Sequence, residues 1–319
     1  MDKWLVGVDL GGTTTKIAFI SYYGEIIHKW EIPTDRSDHG KNITINIAKS
    51  IDDKLEELGQ SKNKLLGIGM GAPGPVNSHT GAIFEAVNLG WTNYPLKQLL
   101  EVETALPAVI ENDANVAAIG EMWKGAGNGA KDLVCVTLGT GVGGGVIANG
   151  HVVTGISGAA GEIGHITVVT ENGYSCNCGK KGCLETVASA TGVVRLAGEA
   201  LLNSEEPSKL RDFGEELTSK DVFDTAAAGD VIAMAVCDKL SFYLGLAIAN
   251  MANVLNPEII VIGGGVSKAG DGLLRPVDSY FKQFSFPRVA ASTKLAIATM
   301  GNDAGVLGAA WLAKNEFGE

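Results

Sequence analysis

The sequence predicts an α/β protein of two related domains that share one cleft. Three observations carry that reading. At 319 residues the chain exceeds what a single hydrophobic core usually serves. Apolar runs of strand length alternate with runs of helical period. The succession of strand, Gly/Thr turn, strand and helices also occurs twice, at a spacing far above that of solenoid repeats.

Leu5–Leu10 and Lys16–Ser21 read as apolar strands around the turn Gly11-Gly12-Thr13-Thr14-Thr15, and Glu25–Ile32 continues an antiparallel meander after Tyr23-Gly24. A helical pattern from Ile43 to Leu58 leads to a buried strand at Leu65–Gly71, a Pro-Gly loop and a strand at Ala108–Glu111. Asp132–Leu138 opens the second series. Gly139-Thr140-Gly141-Val142-Gly143-Gly144-Gly145 is expected as a loop before a strand at Val146–Ala148, with Asn149-Gly150 as a hairpin signal. Helices are expected at Ser189–Leu202, Thr218–Ala227 and Val231–Leu255, then a strand at Glu258–Ile262 and a third glycine loop, Gly263–Ser267, that opens another helix. Asp303 is expected to cap a last helix, Asp303–Lys314, packed back on the first domain.

Composition narrows the function classes. An apolar content of 45%, only 19% charged residues and 43 glycines describe a compact enzyme with many tight turns. The net charge of −11 opposes DNA, whose phosphates attract clustered Lys and Arg. An acidic chain can still bind a nucleotide where backbone amides and a divalent cation meet the phosphates. No apolar run is expected to reach membrane-spanning length, and the opening Lys3-Trp4-Leu5-Val6-Gly7-Val8-Asp9 reads as a strand without a targeting leader, so a cytoplasmic setting is expected.

The densest chemistry lies between Glu162 and Glu185. His165, Cys176, Cys178 and Cys183 follow the spacing His-x10-Cys-x-Cys-x4-Cys, four nitrogen and sulfur donors of the kind tetrahedral structural zinc takes. Thiols can also be small core hydrophobes. Here Asn177, Gly179, Lys180, Lys181 and Gly182 make the intervening segment polar and turn-rich, unlike a core. An odd count of five cysteines, with Cys176 and Cys178 too close to pair comfortably, speaks against disulfides.

Asp9-Leu10-Gly11-Gly12-Thr13-Thr14-Thr15-Lys16 outlines a phosphate cradle, though a plain tight turn would look the same. The related loop at Gly139–Gly145 favours the cradle. A Walker A loop is absent. Gly139-x-Gly141-x-x-Gly144 and Gly69-x-Gly71-x-x-Gly74 match the dinucleotide fingerprint literally, but prolines or a hairpin follow them where that fingerprint must open a helix. Glu111-Asn112-Asp113-Ala114-Asn115 closes a strand and begins a helix. Asp113 could be an N-cap; three polar groups at one strand end instead suggest a ligand site, with Asp113 held ionised by the helix N-terminus as a general base.

Taken in order, these motifs resemble the ROK family of sugar kinases, repressors and open reading frames, end to end. The resemblance rests on the opening Gly/Thr hairpin, Gly71-Ala72-Pro73-Gly74-Pro75, Asn88-Leu89-Gly90-Trp91, Glu111–Asn115, Leu138–Gly145, Glu162–His165, Cys176–Glu185 and Gly263–Ser267. Glu121-Met122-Trp123-Lys124-Gly125 looks most like the bacterial glucokinases of that family. Asn77, where an acid would be expected after Gly-Pro-Val, is the one departure.

The resemblance implies an actin-like, hexokinase-type ATPase fold of ribonuclease H-like domains: a smaller one of residues 1–118 plus 303–319, and a larger one of 119–302 with the zinc site. It implies ATP-dependent phosphorylation of glucose at its 6-hydroxyl, with fructose, mannose or N-acetylmannosamine as alternative substrates. Asp113 corresponds to the catalytic base, and Asp9 to a residue that places Mg²⁺ or its water. Asn88, Asn112, Asp113, Glu162, His165 and Glu185 are implied sugar contacts. Asp9, Gly11, Gly12, Thr13, Thr14, Lys16, Gly139, Thr140, Gly141 and Gly143 are implied to hold the nucleotide phosphates, with Gly264, Gly265 and Val266 near the adenosine. His165 would give one ring nitrogen to zinc and the other to sugar. Repressors of the family carry a DNA-binding segment ahead of the kinase-like part; with its first strand beginning by Lys3, this chain is expected to have no room for one. Retention of Asp113 also argues against a pure sugar sensor. Homodimers or homotetramers are expected from kin.

Overall fold

The computed structural model describes residues 3–318; residues 1, 2 and 319, at the outer limits of the expected domains, lie outside it. β1 (Trp4–Leu10), β2 (Thr14–Ser21) and β3 (Ile26–Pro33) form the expected meander. They are followed by α1 (Ile43–Glu57), β4 (Leu65–Ala72), a short hairpin of β5 (Ile83–Ala86) and β6 (Trp91–Tyr94), α2 (Leu96–Thr104), β7 (Ala108–Asn112) and α3 (Asp113–Lys124). β1 pairs antiparallel with β2 and parallel with β4, and β4 pairs parallel with β7. The sheet order is β3-β2-β1-β4-β7. β1 and β4 are apolar almost throughout because both faces are covered.

The second half repeats this plan. β8 (Leu133–Leu138), β9 (Val142–Ala148) and β10 (His151–Val152) are followed by α4 (Glu185–Ala188), α5 (Ala190–Leu202), α6 (Ser219–Ala227), α7 (Val231–Leu255), β11 (Ile259–Gly263), α8 (Asp271–Phe284), α9 (Pro287–Ser292) and β12 (Lys294–Ile297). The order β10-β9-β8-β11-β12 has the same antiparallel and parallel neighbours as the first sheet. The repeat inferred from the two Gly/Thr turns is therefore a repeat of topology. α10 (Ala304–Phe317) returns to the first sheet, where Val306, Leu307, Ala310 and Ala313 bury against Leu5, Ala18 and Ile20. α3 lies between the halves: its Ala118, Ile119 and Met122 pack on Leu133, Cys135, Ile147 and Val261 of the second sheet. Gly308 makes the α10–α3 approach possible, since a Cβ there would stand 1.8 Å from the Val116 carbonyl oxygen.

Four expectations need correction. The second glycine loop is only Gly139–Gly141; Gly143, Gly144 and Gly145 are in β9, opposite Thr137, Val136 and Cys135. A Cβ at Gly144 would meet Ile163 Cδ1 at 2.3 Å, so that glycine serves close packing within a strand and not a turn. The third glycine loop opens a single 3-10 turn, Val266–Ala269, before α8 begins at Asp271. Asp303 ends another 3-10 turn, makes no side-chain capping bond and pairs instead with Lys29 on β3. Finally, α7 is long and apolar enough to cross a membrane by length and composition, contrary to the expectation; 56% of its most apolar window is buried inside the protein, as befits a core helix. The β5–β6 hairpin, α2 and α9 had no assigned signal.

Candidate active site

Asp9 in β1, Asp113 just after β7, Thr137 in β8 and Gly263 in β11 line two connected cavities at the carboxyl ends of their strands, the place where parallel sheets leave backbone groups free for a ligand. At the end of β1, Asp9 lies opposite Lys16 of β2 and Gly71 of β4. Lys16 Nζ is 3.5 Å from Asp9 Oδ2. Burial pushes the Asp9 pKa up, against the lowering pull of Lys16. The turn between them is closed by Gly11 N donating to Thr14 O at 3.1 Å, and Thr34 Oγ1 donates to Gly11 O at 2.8 Å. Gly12 and Thr13 are left exposed at its tip.

β7 passes directly into α3, and the cap of that helix is Asn112, whose Oδ1 accepts from Ala114 N at 2.9 Å and Asn115 N at 3.3 Å. Asn112 Nδ2 donates to Gly74 O at 3.2 Å. Capping by Asn112 leaves Asp113 free of that duty, as the first residue of the helix. Its carboxylate reaches solvent through the crevice mouth while protein surrounds it at longer range. That loss of bulk water pushes its pKa up to about 6, opposed by the Ala114 amide and reinforced by the charges of Asp9 and Glu162. Against the pull of the helix N-terminus toward the charged form, desolvation raises this pKa, which still leaves Asp113 mostly ionised at neutral pH.

A cavity of about 350 Å³ joins Asp9, Lys16, Asp113, Thr137, Gly143 and Asn302. A second, of about 430 Å³, shares Thr137, Gly301 and Asn302 and runs on to Gly264, Gly265 and Lys268. A third, of about 330 Å³, continues from Gly265, Val266 and Lys268 to Thr218 and Phe223 at α6. Together they form a trough from Asp113 to α6. The turn Gly139–Gly141, between β8 and β9, is closed by Gly139 N donating to Gly141 O at 2.9 Å, with Thr140 exposed and its carbonyl accepting from Thr191; its residues do not line these three cavities. Thr137, Lys268, Gly301, Asn302 and the α6 residues carried no sequence signal, except that Thr137 is a polar residue at the end of an apolar strand.

His165 ends the 3-10 turn Ile163–His165, and its ring meets the cysteine loop. One donor atom each from His165, Cys176, Cys178 and Cys183 lies within 4.8 Å of the others. His165 Nδ1 is 3.5 Å from Cys176 Sγ, and the Cys178 and Cys183 sulfurs are 3.6 Å apart. A zinc tetrahedron with usual bond lengths has S···N edges of about 3.5 Å and S···S edges of about 3.8 Å. The donor set fits that ion. The other ring nitrogen, Nε2, stands 3.8 Å from Glu162 Oε2. Glu185, at the start of α4, accepts the Val142 amide on Oε2 at 3.0 Å, while its Oε1 lies 3.8 Å from Cys176 Sγ.

The ROK family model matches residues 5–316, nearly the whole length. The chain belongs to the ROK family. It is 56% identical over 317 residues to a glucokinase of Halalkalibacterium halodurans, covering 99% of this chain and 96% of that one. A ROK family glucokinase from Streptomyces griseus, solved in complex with glucose and AMPPNP, superposes with a TM-score of 0.78 at 32% identity and covers 98% of this chain and 99% of that one. A xylose repressor of Caldicellulosiruptor bescii is 28% identical, over 95% of this chain and 76% of the repressor.

In this ROK chain several of the expected residues fall into two connected groups, Gly264, Gly265 and Val266 line the cavities further along the trough, and Asn88 stands apart. Asp9, Lys16, Asp113 and Gly143 share one cavity. His165, Glu162, Glu185 and the cysteines are linked by the contacts above, and Glu162 is close enough to Asp113 to act on its charge. Asn88 is exposed in a cavity of about 620 Å³ with Gly74 and Ala159. Gly74 connects that cavity to Asn112. Asn77 Oδ1 accepts from His79 N and Thr80 N at 3.0 and 3.1 Å, so Asn77 shapes a turn.

Proposed function

We propose that this chain is an ATP-dependent glucokinase that converts glucose and ATP to glucose 6-phosphate and ADP. The observation that carries the reading is Asp113, a carboxylate at the cavity mouth with a pKa raised to about 6, facing the Asp9–Lys16 hairpin across one cavity. The 56% identity to a glucokinase supports glucose in particular.

Asp113 accepts the proton of the sugar 6-hydroxyl as that oxygen bonds to the γ-phosphorus and the bond to the ADP oxygen breaks. Transfer of a phosphoryl group is mostly positioning and charge neutralisation. Lys16 and the amides of Gly11–Thr14 and Gly139–Gly141 meet the phosphates, and Gly264, Gly265 and Val266 border the adenosine end of the trough. Asp9, an oxygen donor beside the cavity, fits Mg²⁺, which when bound neutralises phosphate charge. Asn88, Asn112, Glu162, His165 and Glu185 hold sugar hydroxyls. His165 Nδ1 and the three thiolates would hold zinc, which would fix the ring and leave Nε2 for the sugar.

For this purpose the chain divides into residues 1–118 plus 303–319 and residues 119–302, a division supported by the two like-ordered sheets and the return of α10. That sheet order supports an actin-like, ribonuclease H-like fold. The same reading takes the chain as a cytoplasmic homodimer or homotetramer with neither nucleic acid nor membrane as partner, the net charge of −11 being its support on the first count.

The deciding experiment is kcat/KM with ATP across a panel of hexoses and N-acetylhexosamines. A preference for glucose above about tenfold, 1.4 kcal/mol, is expected. A flatter profile would leave a hexose kinase of another specificity. Kinship to a repressor keeps a sugar-sensing regulator as the second reading, and absence of ADP release with glucose and Mg-ATP would favour it.

A further inference from the structure

Glu121 is a carboxylate only 2% exposed, in the last turns of α3. Burying a charge is costly unless it is fully bonded. Its bonds run to backbone amides at two places distant in sequence. Oε2 accepts from Ala126 N at 2.9 Å and from Thr299 N at 3.1 Å, and Oε1 accepts from Met300 N at 2.8 Å. Its main-chain carbonyl accepts from Gly125 N and Gly127 N as well.

Those two places are where the polypeptide passes between the sheets. After α3 the chain runs through Gly125–Asp132 into β8, and after β12 it returns through 298–303 into α10. A simple end cap for α3 needs only the first set of bonds. The bonds to Thr299 and Met300 reach across 178 and 179 residues and tie the return crossover to the same side chain. Gly125 is adapted to this arrangement, since a Cβ there would lie 2.0 Å from Glu121 Oε2. Eight residues earlier on the same helix, about 12 Å along its axis, stands Asp113. Glu121 also lines the middle cavity of the trough.

We propose that Glu121 is a positioning residue that clamps both interlobe crossovers to α3 and so sets how the lobe bearing Asp9 meets the lobe bearing Gly139–Gly141 and Gly264. The proposal rests on the kinase reading for its catalytic consequence, but the clamp itself can be tested without turnover. Glu121→Gln keeps the size of the side chain and one carbonyl acceptor, and turns an NH₂ toward an amide. With glucose and a non-hydrolysable ATP analogue, small-angle scattering should show the native protein becoming more compact and the variant doing so less. The variant should remain folded by circular dichroism and lose about tenfold in kcat, the scale expected when closure and not chemistry is impaired. The midpoint of its acidic pH limb should stay at the native value, because Asp113 is untouched.

Native kcat, KM and compaction in Glu121→Gln, with only the melting temperature lowered, would overturn the clamp and leave an ordinary structural bond. A native protein that compacts with ligand yet never phosphorylates glucose would defeat the kinase reading while the scattering comparison still decides the clamp. Should Glu121→Gln fail to fold, hydrogen exchange on the native protein decides it. Amides of 126, 299 and 300 should be protected to a common degree, and exchange at free-chain rates at 299 and 300 overturns the proposal.

Discussion

Glu185 accepts the Val142 amide at 3.0 Å, so the residue two places after the last cysteine is tied to the first residue of β9. That bond joins the segment after the cysteine loop to the start of β9, next to the Gly139–Gly141 turn. A zinc ion held by His165, Cys176, Cys178 and Cys183 at one end of this connection would order both His165 and Glu185.

From that connection, one zinc per chain is expected by elemental analysis. Cys178→Ser should abolish it and raise the KM for glucose by about 10–100-fold, the usual cost of disturbing groups around a metal, and lower the melting temperature. Unchanged glucose affinity in verified metal-free protein would sink the coupling.

Asp113→Asn keeps the side-chain size and removes the base. kcat should fall by about 10²–10⁴-fold, the range for general-base catalysis, while the KM for ATP changes little. Turnover within a few-fold of the native rate would refute the assignment.

The raised pKa of Asp113 sets two pH signs. kcat/KM for glucose should fall as pH drops through about 6, where the free base takes up its proton. For stability, the folded chain holds a proton that the unfolded chain, at the ordinary value of 3.8, has released, so this group makes the fold less stable as pH rises through that window. Asp113→Asn should therefore melt above the native protein at pH 7.5, with the gap closing below pH 4. Thermal melts at several pH values check it; a gap independent of pH would not agree.

Gly308→Ala places a Cβ against the Val116 carbonyl and must push α10 off α3. A loss of about 1–3 kcal/mol in chemical denaturation is expected, the scale of overpacking a tight interface. Asn88→Ala, on an exposed side chain, should by contrast leave stability within about 0.5 kcal/mol and raise the KM for sugar.

Much of the fold was legible because β1, β4, β8 and β11 are apolar runs bounded by glycine turns, and strand length with turn chemistry is a local signal. The glycine run 143–145 misled, since glycine marks a turn and a close approach alike, and only Ile163 packed on Gly144 distinguishes them. The β5–β6 hairpin was missed because its strands are four residues each and its middle positions are exposed. In the site, His165, Cys176, Cys178 and Cys183 were legible from donor type and spacing. Thr137, Asn302 and Lys268 were not, because their place in the trough depends on elements far apart in sequence.

The sequence by itself determined which groups are available: four nitrogen and sulfur donors close along the chain, a carboxylate at a strand-to-helix junction, and two Gly/Thr turns in repeated settings. These follow from covalent order and local backbone preference. The tertiary structure alone decided that Asn112 and not Asp113 caps α3, that His165 turns Nδ1 to the thiols and Nε2 to Glu162, and that Asp113 titrates near 6. The reason is physical: hydration, ring orientation and the field of neighbouring charges belong to the packed surroundings, and those are assembled from residues that only the fold brings together.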